Sequence, residues 1–265
     1  MNRLAIAGRL WVASDVHLGP ESPATAAAFH AFLEQAARRA DALILAGDLF
    51  DAWIGDDVAL RAPEPWLRAA LAALQRLSAR IPLWLGRGNR DFLIGPALAR
   101  HVGARLLPDA IVLETAAGPI LLTHGDEYCT ADPHYQRFRR IVRNSGVQAA
   151  YLALPLRARQ GIAAWARNRS RRANRHKAPD IMDVTPSAIE DALRRADADV
   201  CMLVHGHTHR PARHALSVDG RVCERLVLPD WDFDHAAAPR GGWVEIDADG
   251  VRLHRHGDAP AQASK

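Results

Sequence analysis

Short apolar runs that stop on an acidic, amide or imidazole side chain recur along the chain. LWVAS (10–14) runs into Asp15, ALILAG (42–47) into Asp48, and IPLWLG (81–86) into a loop carrying Asn89. PILLT (119–123) runs into His124, and VCMLVHG (200–206) into His207. Runs this short, apolar throughout, have the pattern of strands buried on both faces. Between them, residues 24–40 and 64–79 repeat Ala, Leu and Phe at helical spacing, and 95–101 has room for one more short helix. ARLLP (104–108) and AIVLET (110–115) read as further strands. Helix-like stretches follow near 134–145, 147–155 and 160–174, and Thr185-Pro186 opens a helix over 185–196. RHALSVDGRVCERLVL (213–228) alternates about an Asp-Gly turn and predicts a hairpin, as does GGWVEIDADGVRLHRH (241–256). Strand–helix alternation followed by hairpins predicts an α/β sandwich of two sheets flanked by helices. In such sheets, sites form at the carboxyl ends of strands, where the polar stops stand.

Composition narrows the class. The 265 residues are 49% apolar and 24% charged, the balance of a globular chain. Three cysteines (Cys129, Cys201 and Cys223), with no close pair, exclude a disulfide framework and a CxxC zinc site and fit a reducing compartment. No run reaches the ~18 apolar residues of a membrane span. The apolar start of the chain is broken by Arg9 and reads as a first strand, not a signal peptide, so a cytoplasmic protein is expected.

Charge changes the picture more. The formal net charge is +4, yet residues 133–179 hold twelve Arg and Lys and no Asp or Glu, within a remainder that is net acidic. Such a block faces phosphate, whether of nucleic acid, lipid headgroup or small substrate.

The strand ends carry the chemistry. SDVHLG (14–19), GDLFDAW (47–53), GRGNRDF (86–92), THGDE (123–127) and VHGHTHRP (204–211) offer Asp15, His17, Asp48, Asn89, His124, His207 and His209 as metal ligands. Carboxylate, amide oxygen and imidazole together suit a borderline divalent ion such as Mn²⁺, Fe²⁺ or Zn²⁺. Seven ligands exceed one open site and suit two metals about 3.5–4 Å apart, with Asp48 read as the bridging carboxylate. Asp-x-His and His-x-His place alternate side chains on one side of an extended segment. His30, His101, His214, His235, His254 and His256 lie in helices, hairpins or the tail and read as surface residues.

The ordered set Asp-x-His, Gly-Asp, Gly-Asn, His and Gly-His-x-His resembles the calcineurin-like metallophosphoesterase superfamily. That resemblance implies an αββα sandwich of two mixed sheets with a dimetal centre. SDVHLG, GDLFDAWIGDD, GNRDFLIG, LLTHGDEYCTADPHYQRFR, HGHTHRP and LPDW together resemble its UDP-2,3-diacylglucosamine hydrolase family, over residues 10 to about 247. The resemblance implies two divalent metals, most simply Mn²⁺. It further implies water attack on the α-phosphorus of UDP-2,3-diacylglucosamine, releasing UMP and 2,3-diacylglucosamine 1-phosphate, in lipid A biosynthesis. Catalytic roles fall on Asn89, Arg90 and His207; substrate contacts fall on Asn89, Arg90, Asp132, Ser170, Asn174, Lys177 and His207. Many superfamily members have His where this chain has Arg90, whose planar fork matches a phosphate.

The expected organisation is a core of 1–132 and 180–257, a basic helical cap insertion at 133–179, and a disordered tail at 258–265. Ser170, Asn174 and Lys177, spaced by four and three, share one helix face. Tyr151, Leu152, Leu154, Leu156, Ile162, Ala163 and Trp165 offer a lining for two acyl chains or packing onto the core. Arginines at the rim would draw the protein to the anionic inner-membrane surface as a peripheral protein on its cytoplasmic face. No nucleic-acid partner is expected, because the block lacks the aromatic interleaving of a single-strand platform. No obligate protein partner is expected either. The competing reading is a metal-dependent phosphodiesterase or nuclease acting on another phosphoester.

Overall fold

The structure, a computed structural model, describes residues 1–174 and 183–258, as backbone alone over 167–174. Strands and helices are numbered along the chain. One sheet carries β2 (Leu10–Ala13), β3 (Ala42–Leu45), β4 (Leu83–Leu85) and β5 (Arg105–Leu106) in parallel. The antiparallel hairpin of β11 (Gly242–Asp247) and β12 (Gly250–Arg255) extends it beyond β2. The other sheet runs β1-β6-β7-β8-β10-β9, with β1 (Arg3–Ala5), β6 (Ala110–Thr115), β7 (Gly118–Thr123), β8 (Met202–His205), β9 (Arg213–Val218) and β10 (Arg221–Val227). In this second sheet the β1–β6, β7–β8 and β8–β10 pairs are parallel and the β6–β7 and β9–β10 pairs antiparallel, so both sheets are mixed.

Alternation along each strand builds the layers. Leu10 and Val12 of β2 face the second sheet, meeting Ile120, Leu122 and Val204. Trp11 and Ala13 face the opposite way, against helices α1 (Pro23–Arg39) and α3 (Pro65–Ser78). The outer face of the second sheet buries Leu121, Leu203 and Cys223 under Ile189 and Leu193 of α8 (Pro186–Arg195). Helix, sheet, sheet, helix is the αββα sandwich expected, and burial on both faces explains why the strands read as unbroken apolar runs.

Element ends move by one to a few residues from the sequence reading, the short helix expected at 95–101 is α4 (Pro96–His101), and the five-residue α2 (Asp57–Arg61) was too short to be seen there. The Asp219-Gly220 turn has positive φ at both residues (51° and 79°), as a tight type I′ hairpin requires. His30, His214 and His254 are half-buried, unlike the surface positions expected, and the His254 ring stacks on Trp243 at 4.9 Å.

Residues 133–174 form α5 (Pro133–Val142), α6 (Ser145–Leu152) and α7 (Leu156–Asn174) beside the carboxyl ends of the strands. Their basic side chains are not uniformly turned to solvent. Arg139, Arg143 and Arg159 are largely buried and bonded to core groups, an arrangement suited to a guanidinium, whose five N–H donors in a planar fork satisfy several carbonyls and carboxylates at once. The tail expectation falls almost wholly outside the described residues.

Candidate metal centre

All seven expected ligands lie at the carboxyl ends of β2, β3, β4, β7 and β8 and converge on one place. The loops carrying them are laced together by main-chain hydrogen bonds. Asp15 N donates to Gly47 O (3.1 Å), His17 N to Asp48 O (3.0 Å) and Gly206 N to His124 O (2.9 Å). Two glycines are demanded by this crowding. A Cβ on Gly88 would stand 2.0 Å from Asp48 Oδ1, and one on Gly206 would stand 2.2 Å from Asp15 Oδ2. Five ligands hold a left-handed backbone: Asp15 (φ 55°), His17 (54°), Asp48 (52°), His207 (68°) and His209 (55°). Each such residue costs on the order of 1–3 kcal/mol and persists only where its surroundings over-determine it.

Two groups of donor atoms lie within 4.8 Å of one another: Asp15, His17 and His209; and Asp15, Asp48 and His124. Asp15 belongs to both. Asn89 and His207 join the second group, with Asn89 Oδ1 at 3.2 Å from His124 Nε2 and 2.8 Å from His207 Nδ1.

The donor set fits a pair of divalent cations. Asp15 is wholly buried and its Oδ1 accepts no well-formed hydrogen bond. His17 Nε2 and His209 Nε2 face each other at 3.3 Å beside that oxygen. Nitrogen and oxygen donors aimed at one another, with a bare carboxylate oxygen among them, are a cation's coordination set. The electrostatics agree. Burial would raise the Asp15 carboxyl, yet the imidazoles of His209, His124 and His17 hold it well below the usual range. Burial pushes Asp48 up to about 7, helped by Asp91 and Asp15 and opposed by His124. Burial disfavours a charged His124, but Asp48, Asp15, Asp126 and Asp91 carry it up to about 9, so these carboxylates call for positive charge at their centre. Burial lowers His17 to about 3 and His207 to about 4, keeping both neutral and able to ligate. Burial also opposes charge on His209, and Asp15 and Asp230 overcome it, raising that ring. Opposed shifts inside one cluster are typical of functional sites.

The remaining expected residues are placed as follows. Arg90 reaches outward, with Nη1 on Asp51 Oδ1 at 3.0 Å, while its N donates to Asp48 Oδ1 at 2.8 Å. Asp132 is buried and caps α5, accepting from Tyr135 N at 3.0 Å. Lys177 and the side chains of Ser170 and Asn174 lie outside the described residues.

Sequence reasoning missed three groups. Asp91, fully buried, accepts from the main-chain N of Gly88 (2.7 Å), Leu49 (2.8 Å), Asp48 (3.1 Å) and Phe50 (3.4 Å), fastening the Asp48 loop to the Asn89 loop. Asp126, also buried, accepts from Tyr135 Oη (2.7 Å) and Arg139 Nε (2.8 Å), and Tyr135 stacks over His207. Arg143 donates to Gly88 O (3.0 Å) and Arg87 O (3.3 Å), joining α5 to the loop that carries Asn89. An Asp three residues after a loop glycine was the available signal for Asp91; nothing local marked Arg143.

A family model described as "Calcineurin-like phosphoesterase" matches residues 8–211. A UDP-2,3-diacylglucosamine hydrolase of Bordetella parapertussis is 60% identical over 252 residues, covering 95% of this chain and 96% of the relative. One from Serratia proteamaculans is 45% identical, covering 96% and 98%. One from Pseudomonas aeruginosa is 44% identical, covering 90% and 95%. With the family match spanning every ligand loop, the chain belongs to the calcineurin-like phosphoesterase family, in the company of these hydrolases.

Proposed function

We propose that this protein hydrolyses the diphosphate of UDP-2,3-diacylglucosamine to UMP and 2,3-diacylglucosamine 1-phosphate. The observation that carries the reading is the 60% identity, over nearly the whole of both chains, to a hydrolase of that name. The convergence of the seven ligands supplies the chemistry. Asp15, His17 and His209, with Asp48, Asn89, His124 and His207, would hold two divalent cations, Mn²⁺ in our reading. Such ions supply charge for the phosphoryl oxygens and make water nucleophilic near neutral pH.

The chain's own groups divide the remaining tasks. Arg90 spends one N–H on Asp51 and has further donors in its fork, a geometry suited to clamping the diphosphate as the leaving group departs. Asn89 and His207 sit against each other beside it and stabilise charge on the transferred phosphoryl group. Residues 133–179 act as a cap on a core of 1–132 and 180–257. On the described part of that cap Leu152, Ile162 and Trp165 are 41%, 44% and 64% exposed, apolar area of the kind that marks a lipid-binding face. With Ser170, Asn174, Lys177 and Asp132 reading the headgroup, the acyl chains lie in the cap and the uridine end over the ligand loops. Peripheral attachment to the cytoplasmic face of the inner membrane follows from this lipid substrate. No helix among the described residues is long and apolar enough to cross a membrane.

The test compares turnover of UDP-2,3-diacylglucosamine, bis-p-nitrophenyl phosphate and single-stranded DNA by the metal-loaded protein. Strong preference for the lipid nucleotide is expected. Equal or better turnover of either competitor would replace this reading with a general phosphodiesterase or nuclease.

A further inference from the structure

The LPDW segment runs directly beside the ligand loops, and the sequence resemblance gave it no task. Its two ends are tied to two of those loops: Leu228 N donates to His205 O at 2.7 Å, and Trp231 N to Asp15 O at 3.0 Å. Trp231 is buried against Phe29 and Phe32 of α1, which fixes the segment to the sandwich. Between these anchors sits Asp230, only 3% exposed. Asp230 Oδ2 accepts from Arg240 Nε at 2.7 Å and stands 3.5 Å from His209 Nδ1. The other nitrogen of that ring, Nε2, faces Asp15 Oδ1 at 3.4 Å and His17 Nε2 at 3.3 Å. Guanidinium, carboxylate, imidazole and ligand cluster therefore follow one another in series.

We propose that Asp230 is a positioning residue that holds His209 with its Nδ1–H toward the carboxylate and its Nε2 lone pair toward the cation of the Asp15–His17–His209 group, and that Arg240 keeps Asp230 in place. A carboxylate behind a ligating imidazole fixes its tautomer, limits its rotation and makes its lone pair more basic. The arrangement is one-sided. His124, the imidazole of the other donor group, turns Nδ1 to the Ala46 carbonyl at 3.2 Å, not to a carboxylate. Asp230 thus acts on one of the two cation sites.

This inference rests on the two-cation reading, and the experiment separates the two. Metal-stripped full-length protein is titrated calorimetrically with Mn²⁺ alone, and thermal unfolding of the stripped protein is followed in parallel. Wild type is expected to bind in two steps, and His209→Ala identifies the step that belongs to its group. Asp230→Asn keeps the shape and removes the charge. It is expected to weaken that same step by 10- to 100-fold, leave the other within twofold, and shift the unfolding temperature of the stripped protein little. Asp230→Glu, which keeps a carboxylate, recovers part of the loss. Should Asp230→Asn fail to fold, Arg240→Met is expected to move the same step, by less. Equal weakening of both steps would make Asp230 a structural residue and overturn the proposal, as would no weakening of either. A wild type that binds no Mn²⁺ would overturn the two-cation reading together with it.

Discussion

Replacing Asp91 by Asn tests whether one carboxylate fastens the metal-bearing loops together. Asp91 is fully buried and receives four main-chain N–H groups, two on each oxygen. An amide of the same shape must turn its NH₂ toward one of the two pairs. The cheaper orientation abandons Leu49 N at 2.8 Å and the long contact from Phe50 N at 3.4 Å, keeping Gly88 N and Asp48 N on the carbonyl oxygen. A buried donor left without an acceptor costs about 1–3 kcal/mol, and the two bonds retained lose their ionic character, roughly halving them. Relief from burying a charge works the other way, since burial pushes the Asp91 carboxyl up. The net expectation is a loss of about 3 kcal/mol, which is ~6–12 °C in unfolding temperature at this chain length. Denaturant unfolding of the metal-free protein, followed by circular dichroism, gives the free energy at unchanged m-value. A stability within about 0.5 kcal/mol of wild type, inside the scatter of ordinary surface substitutions, would refute the role given to Asp91.

Asp48→Asn should leave the fold intact, since the amide oxygen can still accept from Arg90 N, while bound metal and turnover of the lipid substrate fall by more than tenfold; elemental analysis with near-normal metal and activity would contradict the ligand role. The Arg159 hydrogen bond ties α7 to the first residue of α2 and holds the Asp57 carboxyl below its ordinary value. A depressed carboxyl stabilises fully above the unfolded pKa of about 4 and loses that contribution as pH falls through the folded value. Hydrogen-exchange protection at the start of α7, taken relative to the intrinsic rate at each pH, should accordingly fall below about pH 4 in wild type, and Asp57→Asn should show the lowered protection already at neutral pH; identical protection profiles would exclude the linkage. Hydrolysis in ¹⁸O-water should label UMP and not the sugar phosphate, because acyl chains seated in the proposed cap would leave the α-phosphorus over the ligand loops, and positioning is worth several kcal/mol; label in the sugar phosphate would reverse the substrate orientation.

What the sequence disclosed and what it hid follow one division. Asp15, His17, Asp48, Asn89, His124, His207 and His209 were legible because all stand within a few residues of the ends of β2, β3, β4, β7 and β8, and the topology sends those strand ends to one side. The two sheets were legible because their central strands, buried on both faces, have no polar alternation, while the edge hairpins alternate about Asp-Gly turns. Asp126 and Asp230 were not legible, and Asp91 only through its spacing from Gly88, because each also acts on atoms of another loop or helix, a meeting that no spacing along the chain records. The basic block misled in part for the same reason. Arg139, Arg143 and Arg159 looked like phosphate-facing charge, yet their partners are Asp126, the Gly88 carbonyl and Asp57, which stand 13, 55 and 102 residues away along the chain.

The left-handed backbones of Asp15, His17, Asp48, His207 and His209 have a consequence for the protein's history. These are conformations that glycine adopts without strain and that asparagine tolerates better than most residues. Random substitution at most sites in a fold moves stability downhill, but at these five it can move uphill, because the ligand and its awkward backbone leave together. Selection for the reaction is then the force that keeps Asp and His there. A lineage released from that selection would be expected to drift toward Gly and Asn at the ligand positions first, gaining a sturdier sandwich as it forgot its chemistry.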